Sequence, residues 1–121
     1  MARAHLSIRI DLASGCRIGP GKIALLEAIR STGSISGASR LTGMSYRKTW
    51  LLVEEINRAL RTPAVATETG GAGGGGATIT PVGEKIISLY REIEAQTGQA
   101  AGGPLHAIGK LTRKGGRDTN S

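Results

Sequence analysis

Residues 67–80 read TETGGAGGGGATIT, with six glycines among the seven positions 70–76. A run like this restricts a fold to a few roles: a flexible spacer, an anion-cradling loop, or the tip of a hairpin that must come close to something. Gly71, Gly73 and Gly76 satisfy G-x-G-x-x-G. That turn, however, needs a strand before it, a helix directly after it and an acidic residue roughly twenty positions on within a βαβ unit. Here two β-prone pieces, AVATET and ATIT, flank the glycines. The spacer reading needs a second domain, and the one helix and tail that follow cannot bury a core alone. The remaining reading is a hairpin with a glycine tip, whose backbone N–H groups can approach an anion without side-chain obstruction.

The segments upstream fit such a hairpin. In HLSIRIDLAS, Leu6, Ile8, Ile10 and Leu12 alternate with Ser7, Arg9 and Asp11, which predicts a half-buried strand over about residues 4–13. SGCRIGPG supplies turn residues, and Pro20 opens a helix whose apolar stripe is Ile23, Leu25, Leu26, Ala28 and Ile29, stopped by Gly33. SISGASRLTGMSYRKTWLLVEEINRAL then reads as two helices in tandem. Ser34 or Ser36 caps the first, Gly43 ends it, and Ser45 caps the second, which packs through Thr49, Val53, Ile56 and Leu60. After the hairpin, Thr80 caps a last helix with Pro81 at its first position. From Gly98 onward, Gly, Ser, Thr and basic residues without a sustained period predict a disordered basic tail, giving a domain over 1–97 and a tail over 98–121.

At 121 residues the chain fits one small domain, and its net charge of +7 favours an anionic partner, nucleic acid or an anionic membrane surface. Cys16 is the single cysteine, so no intrachain disulfide forms, and a cytoplasmic location is expected. No stretch has the length and apolarity of a membrane span or signal peptide, which predicts a soluble protein without a membrane partner. His5, His106 and Cys16 are scattered over a strand, a tail and a turn, with no paired spacing for a metal or a nucleophile. Catalysis is therefore not expected.

The sequence STGSISGASRLTGMSYRKTWLLVEEIN, followed by TETGGAGGGGATITPVGEKIISLY, resembles the N-terminal winged helix-turn-helix domain of the ModE-type molybdate-responsive transcriptional regulators, and more distantly the DNA-binding domains of LysR-type regulators. The resemblance spans about residues 5–97. It implies a mainly α fold with a small β-hairpin, an N-terminal strand and a C-terminal dimerisation helix. Where the family has a basic residue in the wing, this chain has Ala72, so the wing would meet DNA through backbone amides.

The second helix of such a pair enters the major groove by its N-terminal residues, while the first crosses the backbone. That assigns Ser45, Tyr46, Arg47 and Lys48 to the groove of double-stranded DNA, with Thr49 at its margin. Arg47 could read guanine, and Lys48 could equally hold a phosphate. Ser34, Ser36 and Arg40 fall near the backbone, the two serines serving as well for caps as for phosphate contacts. Thr69, Gly71, Gly73, Gly74 and Gly75 form the wing contact. Trp50 is expected to pack between the helix pair and the wing or first strand, and Glu54 and Glu55 to face solvent or a partner chain.

Family members are similar in forming homodimers on pseudo-palindromic operators. Ile86, Ile87, Leu89, Tyr90 and Ile93 offer more apolar surface than one small core absorbs, which points independently to a homodimer interface. In the family, molybdate is sensed by C-terminal oxyanion-binding domains; these 121 residues hold no such domain, so no cofactor is expected here and a separate oxyanion-sensing partner is one arrangement. Repression of molybdate uptake or molybdenum-related genes is what the resemblance implies. A protein-interaction module and a non-specific DNA binder are the alternatives. Lys110, Arg113, Lys114 and Arg117 would add salt-dependent affinity to either DNA-binding reading.

Overall fold

Proline at the first helical position loses no hydrogen bond, and glycine after the last takes the left-handed conformation that ends a helix. These two residues bound α1 (Pro20–Thr32), whose C-cap Gly33 has φ 74° and donates to Ile29 O. A computed structural model describes residues 4–68 and 76–113. In it α1 is the centre of the core: Ile23, Leu25, Leu26 and Ile29 have no solvent exposure. A 13-residue helix buried on so wide a face must be covered from several sides. The covering elements are α2 (Ile35–Thr42), a hairpin of β3 (Val65–Thr67) and β4 (Ala77–Ile79) that touches α1 through β4, and α4 (Pro81–Ala100), while α3 (Tyr46–Ala59) packs against α2.

The N-terminal segment forms less strand than its alternation predicts. Only Ile10–Asp11 (β1) finds a partner, Arg17–Ile18 (β2), across a turn where Gly15 takes φ 97°. Ile8, Ile10 and Leu12 do pack against the core as expected, whereas Leu6 is exposed. Alternation marks which side is buried, whereas a ladder needs a neighbouring strand. The stretch before β1 is instead tied to α4, where the buried Tyr90 hydroxyl donates to Ile8 O at 2.7 Å.

The β3–β4 hairpin is antiparallel, pairing Val65 with Ile79 and Thr67 with Ala77. Ala77 N also donates to Gly33 O at 2.9 Å, attaching the hairpin to the end of α1. At the start of α4, Thr80 Oγ1 accepts from Gly83 N and donates to Pro63 O. Gly83 packs so tightly that an added Cβ would fall on Ala64 O and within 2.7 Å of Ile79 Cγ2.

The expected disordered tail is corrected over residues 98–111. The boundary after residue 97 falls inside α4, and α5 (Gly102–Leu111) follows directly. Pro104 sits in the first turn of α5, where its missing N–H is harmless, and Leu105 and Ile108 are one turn apart. Glycine-rich composition hid that pattern. Residues 114–121, with Lys114 and Arg117, lie outside the described residues.

Two ion pairs lock α4 to α1. Arg30 meets Glu84 at 2.7 Å, and Arg91 grips both oxygens of Glu27 at 2.7 and 3.1 Å while also reaching Glu94. Hydrogen bonds from Arg91 hold the Glu27 carboxyl below its ordinary value near 4.5, and the bonds of Arg91 to Glu27 and Glu94 raise the guanidinium. A depressed carboxylate stabilises the fold above its unfolded pKa and loses that contribution as pH falls through the folded one. Glu27→Gln is therefore expected to lower the unfolding free energy at neutral pH by the roughly 0.2–1 kcal/mol typical of solvent-screened pairs. The gap from the parent protein should close as pH drops below about 4.5. A pH series of urea melts would read it, and a constant gap would show that the pair carries no charge-dependent stability.

Candidate nucleic-acid interface

Two capped helices and the turn between them build the interface. Ser34 Oγ accepts from Gly37 N at 2.9 Å, so Ser34 and not Ser36 caps α2. Gly43 ends α2 at φ 76°, and Ser45 caps α3 by accepting from Lys48 N at 3.0 Å. The buried side of α3 is Thr49, Val53 and Ile56. This seats the helix on the core and leaves its opening turn outside.

Tyr46, Arg47 and Lys48 are all exposed there, and among the described residues Arg47 and Lys48 enter no ion pair. The positive end of a helix dipole disfavours cations, so the two charges sit where the isolated fold gains least from them and an anion gains most. Tyr46 stands nearly perpendicular to Trp50, with ring centroids 6.3 Å apart, and Trp50 is half-buried against the core.

Ser34 and Arg40 share a shallow concavity with Thr32, Gly37 and Leu41 at the start of α2, a place where hydroxyl, amide and guanidinium could meet one phosphate. Ser36 lies half-buried beside it. Thr49 is corrected: it has no exposure and its hydroxyl donates back to Ser45 O, so it supports the opening turn of α3 from inside. Thr69, Gly71, Gly73, Gly74 and Gly75 lie outside the described residues. The hairpin arms are described up to Glu68 N donating to Gly76 O at 2.9 Å.

The expected dimer surface splits in two. Ile87 and Tyr90 are corrected, both lying in the monomer core at 3% and 1% exposure. Ile86, Leu89 and Ile93, spaced i, i+3, i+7, form the outward stripe of α4, with Leu89 and Ile93 exposed and Ile86 partly buried. Ile108 and Leu111 of α5 add exposed apolar surface.

Sequence reasoning missed Asn57 and Leu51. Asn57 clasps the first hairpin strand: Oδ1 accepts from Ala64 N and Val65 N, and Nδ2 donates to Val65 O. Nothing local in the sequence marks that role. Leu51 is exposed on the side of α3 away from the core, which the period of the buried residues could have shown. Glu54 is exposed as expected, while Glu55 is held by Lys22 at 3.1 Å.

A cleft of about 1150 Å³ runs from Lys48 along α1 to the β1–β2 hairpin, with Lys22, Arg17 and Arg9 on its rim. Lys22 and Arg9 are already paired with carboxylates. Among the described residues, no three His, Cys, Asp or Glu side chains gather as metal ligands, and no helix is long and apolar enough to cross a membrane.

No family model matches the chain. It is 49% identical over 82 residues to the molybdenum-pterin-binding protein MopB of Rhodobacter capsulatus, covering 68% of this chain and 30% of that protein. The transcriptional regulator ModE of Yersinia pestis is 39% identical over 88 residues, 73% of this chain and 34% of that one. The DNA-binding transcriptional dual regulator ModE of Escherichia coli K12 is 35% identical over 99 residues, 82% and 37%. The chain thus spans about a third of the length of these relatives. A crystal structure of a MarR family transcription regulator superposes with a TM-score of 0.56 at 23% identity, over 78% of this chain and 66% of that one, a likeness of fold. That fold is a winged helix of the kind carried by regulators, not an enzyme's.

Proposed function

Since this chain belongs to the ModE-type family and carries its winged helix-turn-helix part, we propose that it is a sequence-specific DNA-binding transcriptional regulator acting in the cytoplasm. It binds a pseudo-palindromic operator as a homodimer and represses molybdate uptake or molybdenum-related genes. The observation that carries this reading is the pair of exposed cations Arg47 and Lys48 in the opening turn of α3, which enter no ion pair among the described residues. Ser45 and Tyr46 stand with them at base edges, while Ser34, Ser36 and Arg40 meet the backbone and the glycine tip forms the wing contact. Sensing of the oxyanion belongs to a partner or to sequence beyond these residues, as the molybdenum-related names of the relatives support.

The outward stripe of α4, Ile86, Leu89 and Ile93, continued by Ile108 and Leu111, makes the two-fold contact. Leu89→Glu with Ile93→Glu is expected to convert the dimer to monomer in sedimentation experiments without unfolding it, because both side chains are exposed. A dimer that survives both charges would place the contact elsewhere.

Selection from a random duplex pool at physiological salt tests the function itself. An enriched inverted repeat with half-sites roughly 34–36 Å apart supports the dimeric reader. Retention without enrichment would make the protein a non-specific basic binder, and no retention would make it an interaction module.

A further inference from the structure

Leu51 is 52% exposed, and its surroundings on α3 are charged. At about 100° per residue it lies about 40° around the helix from Arg47 and about 60° from Glu54, with Arg58 between it and Arg47. All four are exposed and point away from the buried Thr49, Val53 and Ile56. The side chain therefore adds little to the monomer core, yet it sits in the middle of the face that the reading above puts into the major groove. An exposed leucine is ordinary on an arbitrary surface. In the major groove, though, the apolar group that a base pair presents is the C5-methyl of thymine, while the remaining edge atoms are hydrogen-bond donors and acceptors.

We infer that Leu51 is a specificity-determining residue that packs on a thymine C5-methyl in each half-site, about two base pairs from the one met by Arg47. The inference rests on the DNA-reading assignment. Four residues advance the helix by roughly 6 Å, and base pairs stack at roughly 3.4 Å, so the thymine lies about two steps from the Arg47 contact. Arg47 and Leu51 together would read one polar and one apolar feature of the same groove.

The test uses the full chain and the sequence enriched by selection. Each thymine of a half-site is replaced in turn by deoxyuridine, which lacks the methyl alone, and affinities of the parent protein, Leu51→Ala and Leu51→Met are compared. Expected is one thymine per half-site whose demethylation weakens the parent about four-fold, and about fifteen-fold when both half-sites are changed, the worth of one buried methyl group. Leu51→Ala binds more weakly and is indifferent to the change, whereas Leu51→Met, which keeps an apolar reach, retains it. A half-site without thymine, a parent indifferent at each thymine, or an unchanged methyl dependence in Leu51→Ala would overturn this inference and leave DNA reading standing. Failure of the parent protein to enrich any sequence would remove both.

Discussion

Replacing Arg47 and Lys48 together by alanine is expected to abolish sequence-specific retention of DNA while leaving the fold at least as stable as before. A paired guanine contact is worth roughly 1–3 kcal/mol, and a homodimer makes it twice, so Arg47 alone accounts for roughly thirty-fold to twenty-thousand-fold in affinity. If Lys48 holds a phosphate, its loss lowers the slope of log affinity against log salt by about 0.9 per protomer. Stability should move the other way. Both side chains are exposed and outside the described ion pairs, and each cation in a first helical turn opposes the dipole by roughly 0.3–1 kcal/mol. Binding curves at several salt concentrations and thermal melts of the same samples check both halves. Unchanged affinity in the double variant would remove the recognition-helix assignment, and a large drop in melting temperature would show that the residues serve the fold.

Local chemistry made much of the helical frame legible. Pro20, Gly33, Ser34, Gly43, Ser45, Thr80 and Pro81 each act through their own backbone or one near neighbour, and each marks the helix end that the sequence assigned to it. What depends on a distant partner was not legible. The strand over residues 4–13 shrank to Ile10–Asp11 because, among the described residues, the only backbone that pairs with it is the short turn partner Arg17–Ile18. Tyr90 and Ile87 share an apolar face of α4 with Leu89 and Ile93, and sequence spacing cannot divide that face between core and surface. The division is set by α1 and by Ile8, whose carbonyl takes the Tyr90 hydroxyl. At the interface, the opening turn of α3 was visible because caps announce it. The outward direction of Leu51 was legible too, since the packed side assigned to Thr49, Val53 and Ile56 fixes the phase of the helix, but an exposed leucine carries no signal of a role by itself.

Asn57→Ala is expected to cost about 3 kcal/mol, a large share of the roughly 5–15 kcal/mol that holds a domain of this size together. The amide makes three hydrogen bonds at 2.9–3.1 Å to the backbone of Ala64 and Val65, both buried at 3% exposure or less. Removing it strips partners from buried backbone groups, each costing about 1–3 kcal/mol where water cannot replace the bond. Asn57→Asp separates this from simple loss of packing. The carboxylate keeps the acceptor for Ala64 N and Val65 N but loses the donor to Val65 O, so its cost should come mainly from that one contact and be smaller than that of alanine. Urea melts of the two variants measure the difference, and equal costs would mean that the amide's acceptor bonds add nothing. The functional consequence follows from where Asn57 stands. It is on α3 itself, ten residues after Arg47, and it grips the strand that leads to the wing. Asn57 thus helps to hold α3 and the β3–β4 hairpin in register, beside the Ala77–Gly33 hydrogen bond that ties the hairpin to α1, and under the proposed function a reader that must place both on the same stretch of duplex loses part of that registration when the amide is removed. In Asn57→Ala, measured well below its melting temperature, specific affinity should fall although no residue assigned to a DNA contact has changed.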